Sequence, residues 1–155
     1  MHFEIQQIND NIIKESEKYF SDSFTSLLKN KITYTESLVA RYLISKYVKQ
    51  KYKIKNYLPE VNESGIPIFS ENIFWTIAHK DNVVCIGVSD EPIGVDIEKY
   101  KIRDISLLEK FGDDIYELFG GKTWENFYKI WVSLESVIKI DQVTLDQLGE
   151  YKINK

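Results

Sequence analysis

Gly94-Val95-Asp96-Ile97-Glu98 stands in mid-chain, shortly after an apolar run from Val83 to Val88. This order of residue types is typical of a β-strand, in which side chains alternate between two faces, so that Asp96 and Glu98 share one face. The two carboxylates would then lie about 6–7 Å apart, because each strand residue rises about 3.3 Å. The pair is either an exposed strand end with solvated acids or a divalent-metal site, since Mg²⁺ prefers carboxylate oxygen. The short motif alone favours the solvated acids.

The composition is that of a globular protein. The 155 residues suffice for one domain with its own core, and 43% are apolar and 28% charged. The net charge of −4 argues against a broad nucleic-acid surface. No apolar run has the length of a membrane span, and residues 1–10 lack the apolar core of a signal peptide. We therefore expect a soluble, cytoplasmic protein that binds neither nucleic acid nor membrane.

The N-terminal third predicts one strand and two helices. We expect a strand over His2–Ile8, a helix capped by Asn9 or Asp10 that runs to about Lys31, and a second helix opened by a capping box of Thr33 and Glu36. Arg41 lies off the apolar stripe of that second helix. Five lysines at its end form either a solvated, dipole-complementing terminus, which we favour, or a landing patch for phosphates: Lys46, Lys49, Lys51, Lys53 and Lys55.

The remainder predicts a sheet and two further helices. After a loop over Pro59–Pro67, strands are expected over Ile66–Phe69, Phe74–Ala78, Val83–Val88 and Ile93–Glu98, with a turn at Lys80-Asp81-Asn82. A capping box of Ser106 and Glu109 opens a helix through about Phe119, which Gly120-Gly121 ends, and Thr123 caps the last helix. In sequence, the four strands predicted here are therefore preceded by two helices and followed by two helices.

The last helix carries an acid within an aromatic stripe. Trp131, Glu135 and Lys139 follow one another at intervals of four residues and therefore share one helix face. A carboxylate there is costly unless it is paired or bound to a metal. The alternative is an ordinary Glu135–Lys139 surface pair, which contributes little.

Two motifs thus follow each other along the chain: Gly94-Val95-Asp96-Ile97-Glu98 and Trp131-Val132-Ser133-Leu134-Glu135-Ser136-Val137-Ile138-Lys139. Together they resemble the 4′-phosphopantetheinyl transferases, whose pattern is a Gly-x-Asp-x-Glu strand followed by a Trp-x-x-Lys-Glu-Ser/Ala-x-x-Lys helix. Phe74–Cys85 is similar to the family's segment around a Ser-His-Ser, and Ser37–Val48 to its Arg-containing helix. The order of the motifs matches the surfactin-synthetase-activating type.

The resemblance implies an α+β fold of the 4′-phosphopantetheinyl transferase type, with an antiparallel sheet packed against helices. It implies a single domain over residues 1–155, with an N-terminal lobe over 1–92 and a shortened C-terminal lobe over 93–155, because the larger type carries further strands after the Lys139 position. It also implies the use of coenzyme A (CoA) and Mg²⁺. The activity implied is transfer of the 4′-phosphopantetheine arm to a serine of an acyl or peptidyl carrier protein, with release of 3′,5′-ADP.

The resemblance also assigns roles to the acids and to one lysine. Carried over by position, Asp96, Glu98 and Glu135 would hold the metal. Glu135 would take the proton of the carrier serine, directly or through water. Lys139 would stabilise the departing phosphate.

The positions that contact CoA are only partly kept. Arg41 matches the family residue near the adenine end, and His79 matches the residue that contacts the 3′-phosphate. The two serines that flank the histidine are Ala78 and Lys80 here. Lys80 would restore one of the lost contacts.

Two hypotheses of different classes follow. The intact acids and Lys139 favour an active transferase. The alternative is a non-catalytic relative that binds a carrier protein or a partner subunit. Its evidence is Leu134 in place of a lysine, Ile66 in place of the lysine of a Gly-Lys-Pro, Ala78 in place of a serine, and the shortened C-terminal half. Exposed aromatic side chains on that half would favour a homodimer.

Overall fold

Three antiparallel strands form one sheet in the part of the chain that the structure describes. The computed structural model describes residues 1–29, 33–63 and 65–141. The strands are β1 (His2–Gln7), β2 (Phe74–Lys80) and β3 (Val83–Ser89), in the order β1-β3-β2. Asp81 and Asn82 join β2 to β3 with φ of 46° and 65°, a conformation that Asp and Asn tolerate in two-residue hairpin turns. The predicted first strand and hairpin are confirmed.

Within the described residues, five α-helices and one 3₁₀ helix accompany the sheet. They are α1 (Asp10–Tyr19), α2 (Asp22–Lys29), α3 (Tyr34–Tyr52), the 3₁₀ helix (Ile105–Lys110), α4 (Asp113–Leu118) and α5 (Trp124–Asp141). Mixed helices and antiparallel strands agree with the predicted α+β class. None of the helices within the described residues has both the length and the apolar character that a membrane-spanning helix needs.

Helix α3 is buried around most of its circumference. α3 packs on the face of β3 that carries Val84, Ile86 and Val88. Every residue from 37 to 45 is buried, so the core contact of α3 is wider than the predicted stripe. Arg41 lies off that stripe and is nevertheless only 5% exposed. The lysines at the end of the helix are exposed, as expected for a solvated terminus.

Two predicted helices are each divided in the structure. The helix expected from residue 10 to Lys31 breaks at Phe20, whose backbone is extended while its ring is buried in the core. Asn9 rather than Asp10 caps α1, since its Oδ1 accepts hydrogen bonds from two backbone amides. Lys31 lies outside the described residues. The helix expected over 106–119 consists of the 3₁₀ helix and α4, because Phe111 is extended and the chain restarts at Gly112.

The capping predictions are partly correct. Thr33 occupies the N-cap position of α3, but its side chain makes no capping hydrogen bond. Asp104, and not Ser106, caps the 3₁₀ helix by accepting from the Ser106 amide. Thr123 caps α5 as predicted, accepting a hydrogen bond of 3.2 Å from the amide of Asn126.

The segment 93–98 was predicted as a strand, and this prediction is wrong. The segment has no regular secondary structure, and residues 66–69 likewise form no strand beyond isolated bridges. A Cβ added to Gly87 in β3 would lie 2.9 Å from Val95 and 3.0 Å from Ile93. The segment therefore covers the face of the sheet instead of pairing with its edge.

Helix α5 presses on the opposite side of the same segment. A Cβ at Gly94 would lie 1.9 Å from the carbonyl oxygen of Ser136 in α5. Only glycine allows this approach, because backbone rather than a movable side chain fills the space. Gly94 therefore fixes how closely the acidic segment and the helix meet.

Buried apolar residues of the described ranges form two separate cores. The first extends from Ile8 to Val88 and lies between α1, α2, α3 and the sheet. The second extends from Leu108 to Ile130 and joins the 3₁₀ helix, α4 and α5. The predicted lobe boundary at residue 92 falls between them in sequence, and the division into lobes stays a prediction.

We predict that Gly94→Ala lowers the free energy of unfolding by about 1–3 kcal/mol, because the added methyl overlaps the backbone of α5. Urea denaturation followed by circular dichroism measures the change. Gly112→Ala is the matched control: its Cβ would meet only the movable carboxylate of Asp114. That control should stay within about 0.5 kcal/mol of the parent protein. Equal losses in the two variants would contradict the steric argument.

Candidate active site

A cavity of about 490 Å³ lies along the edge strand β2. It is bounded by α3 on one side and the last turns of α5 on the other. Arg41, His79 and Lys139, three of the residues that the sequence assigned to substrate contact or catalysis, all line it. They come from α3, β2 and α5, so tertiary packing alone brings them together.

Arg41 is a buried cation without an acidic partner among the described residues. Its Nε donates to the carbonyl oxygen of Pro59 at 3.0 Å, and its Nη1 donates to the carbonyl oxygen of Ser37 at 3.2 Å and to the Ser37 hydroxyl. Burial lowers the pKa of the guanidinium, which nevertheless stays charged at neutral pH. A buried charge beside an open cavity favours an anion there, because no carboxylate balances it.

Lys139 connects the cavity to the acidic segment. Its ammonium donates to Oδ1 of Asp96 at 2.8 Å and to the carbonyl oxygen of Val95 at 2.9 Å. The Asp96 side chain is only 14% exposed. These two bonds tie the end of α5 to the residues that cross the sheet.

Lys80 and Glu98 form a second ion pair, on the face of β2 opposite to the face that carries His79. Side chains alternate along a strand, so Lys80 points away from the face that carries His79. The Lys80 ammonium lies 3.0 Å from Oε2 of Glu98 and donates to its Oε1 at 3.1 Å. Oε2 is shielded from solvent and accepts no directed hydrogen bond. Lys80 does not line the 490 Å³ cavity that contains Arg41, which we call the Arg41 cavity. It lines two smaller cavities, of about 270 and 140 Å³, beside Glu98.

Glu135 is half-buried on α5 and forms no hydrogen bond or ion pair with any described residue. The alternative of a Glu135–Lys139 surface pair is therefore wrong, because the lysine turns to Asp96 instead. This leaves the Glu135 carboxylate available to a substrate or a cation.

The three predicted metal ligands are not gathered in this arrangement. Within residues 1–29, 33–63 and 65–141, no group of three or more His, Cys, Asp or Glu side chains is placed to hold a metal ion. Asp96 and Glu98 are each neutralised by a lysine. The assignment of Asp96, Glu98 and Glu135 to a metal stays a prediction.

Three positions at which the chain departs from the family pattern lie in different environments. Ile66 lines the Arg41 cavity. Leu134 packs against the second core. Ala78 is buried opposite Cys85 in the sheet.

Sequence reasoning missed the groups that hold Arg41. Ser37 stands four residues before Arg41 on α3, which was a readable signal for a contact on one helix face. The Pro59 carbonyl comes from a loop and had no such signal.

Comparison with known proteins gives one informative match. The chain is 30% identical over 139 residues to the 4′-phosphopantetheinyl transferase gsp of Aneurinibacillus migulanus. The matched stretch covers 85% of this chain and 56% of that protein. The chain therefore spans about half the length of the curated relative that it matches. No protein-family model matches the chain.

We predict that inorganic pyrophosphate binds beside Arg41 and raises the melting temperature. At about ten times the dissociation constant the expected rise is about 3–6 °C, since ligand binding stabilises only the folded state. Arg41→Met should abolish the rise while keeping the apolar stem of the side chain. Lys46→Met, a change of the same charge at an exposed position of α3, should keep it. Differential scanning fluorimetry compares them, and an undiminished rise in Arg41→Met would argue against an anion site.

Proposed function

Because this chain is a member of the 4′-phosphopantetheinyl transferase superfamily, we propose that it transfers the 4′-phosphopantetheine arm of CoA to a serine of an acyl or peptidyl carrier protein. The reaction would release 3′,5′-ADP. The observation that carries the proposal is the cavity in which the buried, unpaired Arg41 meets His79 and Lys139. Three groups able to donate hydrogen bonds to phosphate around one cavity suit a ligand with several phosphates.

The binding roles follow from where each group lies. Arg41 is held rigidly by Ser37 and the Pro59 carbonyl, so it would orient the nucleotide end of CoA at little entropic cost. His79 is exposed at the edge of the cavity and would contact the 3′-phosphate. Lys139 would meet the pyrophosphate and balance charge on the departing phosphate.

The proton of the carrier serine needs an acceptor close to the phosphate. Glu135 stands one helical turn before Lys139 and has no partner among the described residues. Its carboxylate would accept the proton, directly or through water, as the serine oxygen attacks the β-phosphate of CoA. Lys139 would then stabilise the departing oxygen, which stays on the 5′-phosphate of 3′,5′-ADP.

Mg²⁺ is part of this proposal. Carboxylate oxygens suit a hard divalent cation. Oε2 of Glu98 is shielded from solvent and contacts the Lys80 ammonium at 3.0 Å without a directed hydrogen bond, so it would be an acceptor for the cation once that ammonium withdrew. Asp96 and Glu98 would hold the cation, with Glu135 as the third ligand. When bound, the cation would screen negative charge on the pyrophosphate.

A second candidate function is supported by two of the changed positions. Leu134 is packed against the second core, and Ile66 places an aliphatic side chain on the cavity wall where the family pattern has a lysine. A non-catalytic protein of this superfamily that binds a carrier protein or a partner subunit would tolerate both. Such a protein would form its complex without CoA or metal.

We predict that unmodified carrier proteins, incubated with this protein, CoA and Mg²⁺, gain the mass of one phosphopantetheine arm. Glu135→Gln should lower the rate at least about 100-fold, the usual contribution of a general base. Glu125→Gln, on an exposed part of the same helix, should have no effect. Intact-mass spectrometry measures the gain, and EDTA should prevent it. A carrier complex without any mass gain would favour the non-catalytic function instead.

We also predict opposite outcomes for restoring two lysines. Ile66→Lys adds a cation to the wall of the cavity and should tighten CoA binding about tenfold, the size expected for one charge-assisted contact. Leu134→Lys should instead destabilise the fold, because it places a charge against the second core. Calorimetry of CoA binding and thermal melting separate the two. Weaker CoA binding by Ile66→Lys would count against the cavity as the CoA site.

A further inference from the structure

We propose that Lys80 is an internal cation that competes with a divalent metal ion for Glu98. The inference rests on the proposed function, since it concerns the same carboxylates. It goes beyond it by assigning to Lys80, a residue that departs from the family pattern, control over metal affinity. The Lys80 ammonium would neutralise Glu98 when no metal ion is bound, and the metal ion could bind Glu98 only after the ammonium had moved away.

The geometry of the pair supports direct competition. The Lys80 ammonium reaches both oxygens of Glu98, at 3.0 Å and 3.1 Å. The Glu98 side chain is 18% exposed, so few other directions of approach are open to a cation. An ion that binds these oxygens and an ammonium that contacts both of them exclude each other.

The two lysines of the site differ in what holds them. Lys139 has a second anchor in the carbonyl oxygen of Val95, and it would keep that bond if Asp96 turned to a metal. Lys80 has Glu98 as its hydrogen-bond partner, and its side chain is 34% exposed. It can therefore leave Glu98 for solvent without breaking another side-chain hydrogen bond or ion pair among the described residues, which makes it the exchangeable member.

Charge balance leads to the same conclusion. Asp96 and Glu98 contribute two negative charges, and their lysine partners contribute two positive charges. A divalent cation therefore approaches two carboxylates whose charges are already balanced, and it gains less Coulomb energy from them unless one lysine withdraws. Removing the Lys80 charge leaves Glu98 largely buried and unpaired, which favours the cation.

Mn²⁺ binding tests the proposal without measuring activity. Free Mn²⁺ is followed by electron paramagnetic resonance while the full chain is titrated. Lys80→Met keeps the aliphatic stem and should tighten Mn²⁺ binding about tenfold, as expected when a partly buried competing pair is removed. Lys80→Arg keeps the charge and should stay within about threefold of the parent protein.

Two controls assign the effect to Glu98. Lys99→Met removes the same charge from the neighbouring segment, where Lys99 pairs with Asp81 at 3.0 Å, and should change the affinity less than about threefold. Adding Glu98→Gln to Lys80→Met should abolish the gain. Thermal melting verifies that each variant is folded, and Lys80→Ser replaces Lys80→Met if the latter is not.

Equal Mn²⁺ affinity in the parent protein and Lys80→Met, or an equal gain in Lys99→Met, would overturn the inference. Neither result bears on whether the arm is transferred. Conversely, a failure to modify any carrier would overturn the proposed function and leave the Mn²⁺ measurements as they stand. The two proposals can therefore fail independently.

Discussion

The contact between the backbone of Gly94 and the carbonyl oxygen of Ser136 sets the distance between the acidic segment and α5. The segment lies in the gap between this helix and the face of β3, where Gly87 leaves room for it. Lys139 then reaches both the Val95 carbonyl and Asp96 from the end of the helix. The cavity beside β2 depends on this arrangement, because the last turns of α5 form one of its walls.

Charge is distributed unequally across the edge of the sheet. On the α3 side, Arg41 is buried, and its hydrogen-bond partners among the described residues are neutral groups, so no carboxylate there balances its charge. On the opposite side, Asp96 and Glu98 are each balanced by a lysine. Lys139 belongs to both regions, since it lines the cavity and binds Asp96. The α3 side of the edge therefore carries a positive charge that no carboxylate balances, whereas the acids on the opposite side are balanced by lysines.

Sequence patterns located the elements better than they located their ends. The hairpin follows from alternating side chains and from the turn residues Asp81 and Asn82. Helices α3 and α5 follow from their apolar stripes, and the start of α5 follows from Thr123 as its cap. The breaks at Phe20 and Phe111 were not readable, because in each case an aromatic ring is drawn into a core that only the folded chain forms. The strand predicted over 93–98 is absent for a related reason: Ile93 and Val95 pack on the face of β3 at Gly87, and the segment does not pair with either edge strand of the sheet.

The sequence by itself determined the α+β class, the family and the candidate residues, because motifs and periodicities are local properties of the chain. Tertiary structure decided which candidates meet. Arg41, His79 and Lys139 share a cavity because α3, β2 and α5 converge there. Lys80, adjacent to His79 in sequence, faces Glu98 instead, since neighbouring strand residues point to opposite sides of a sheet. Ion pairs between distant residues depend on distances that no local pattern contains.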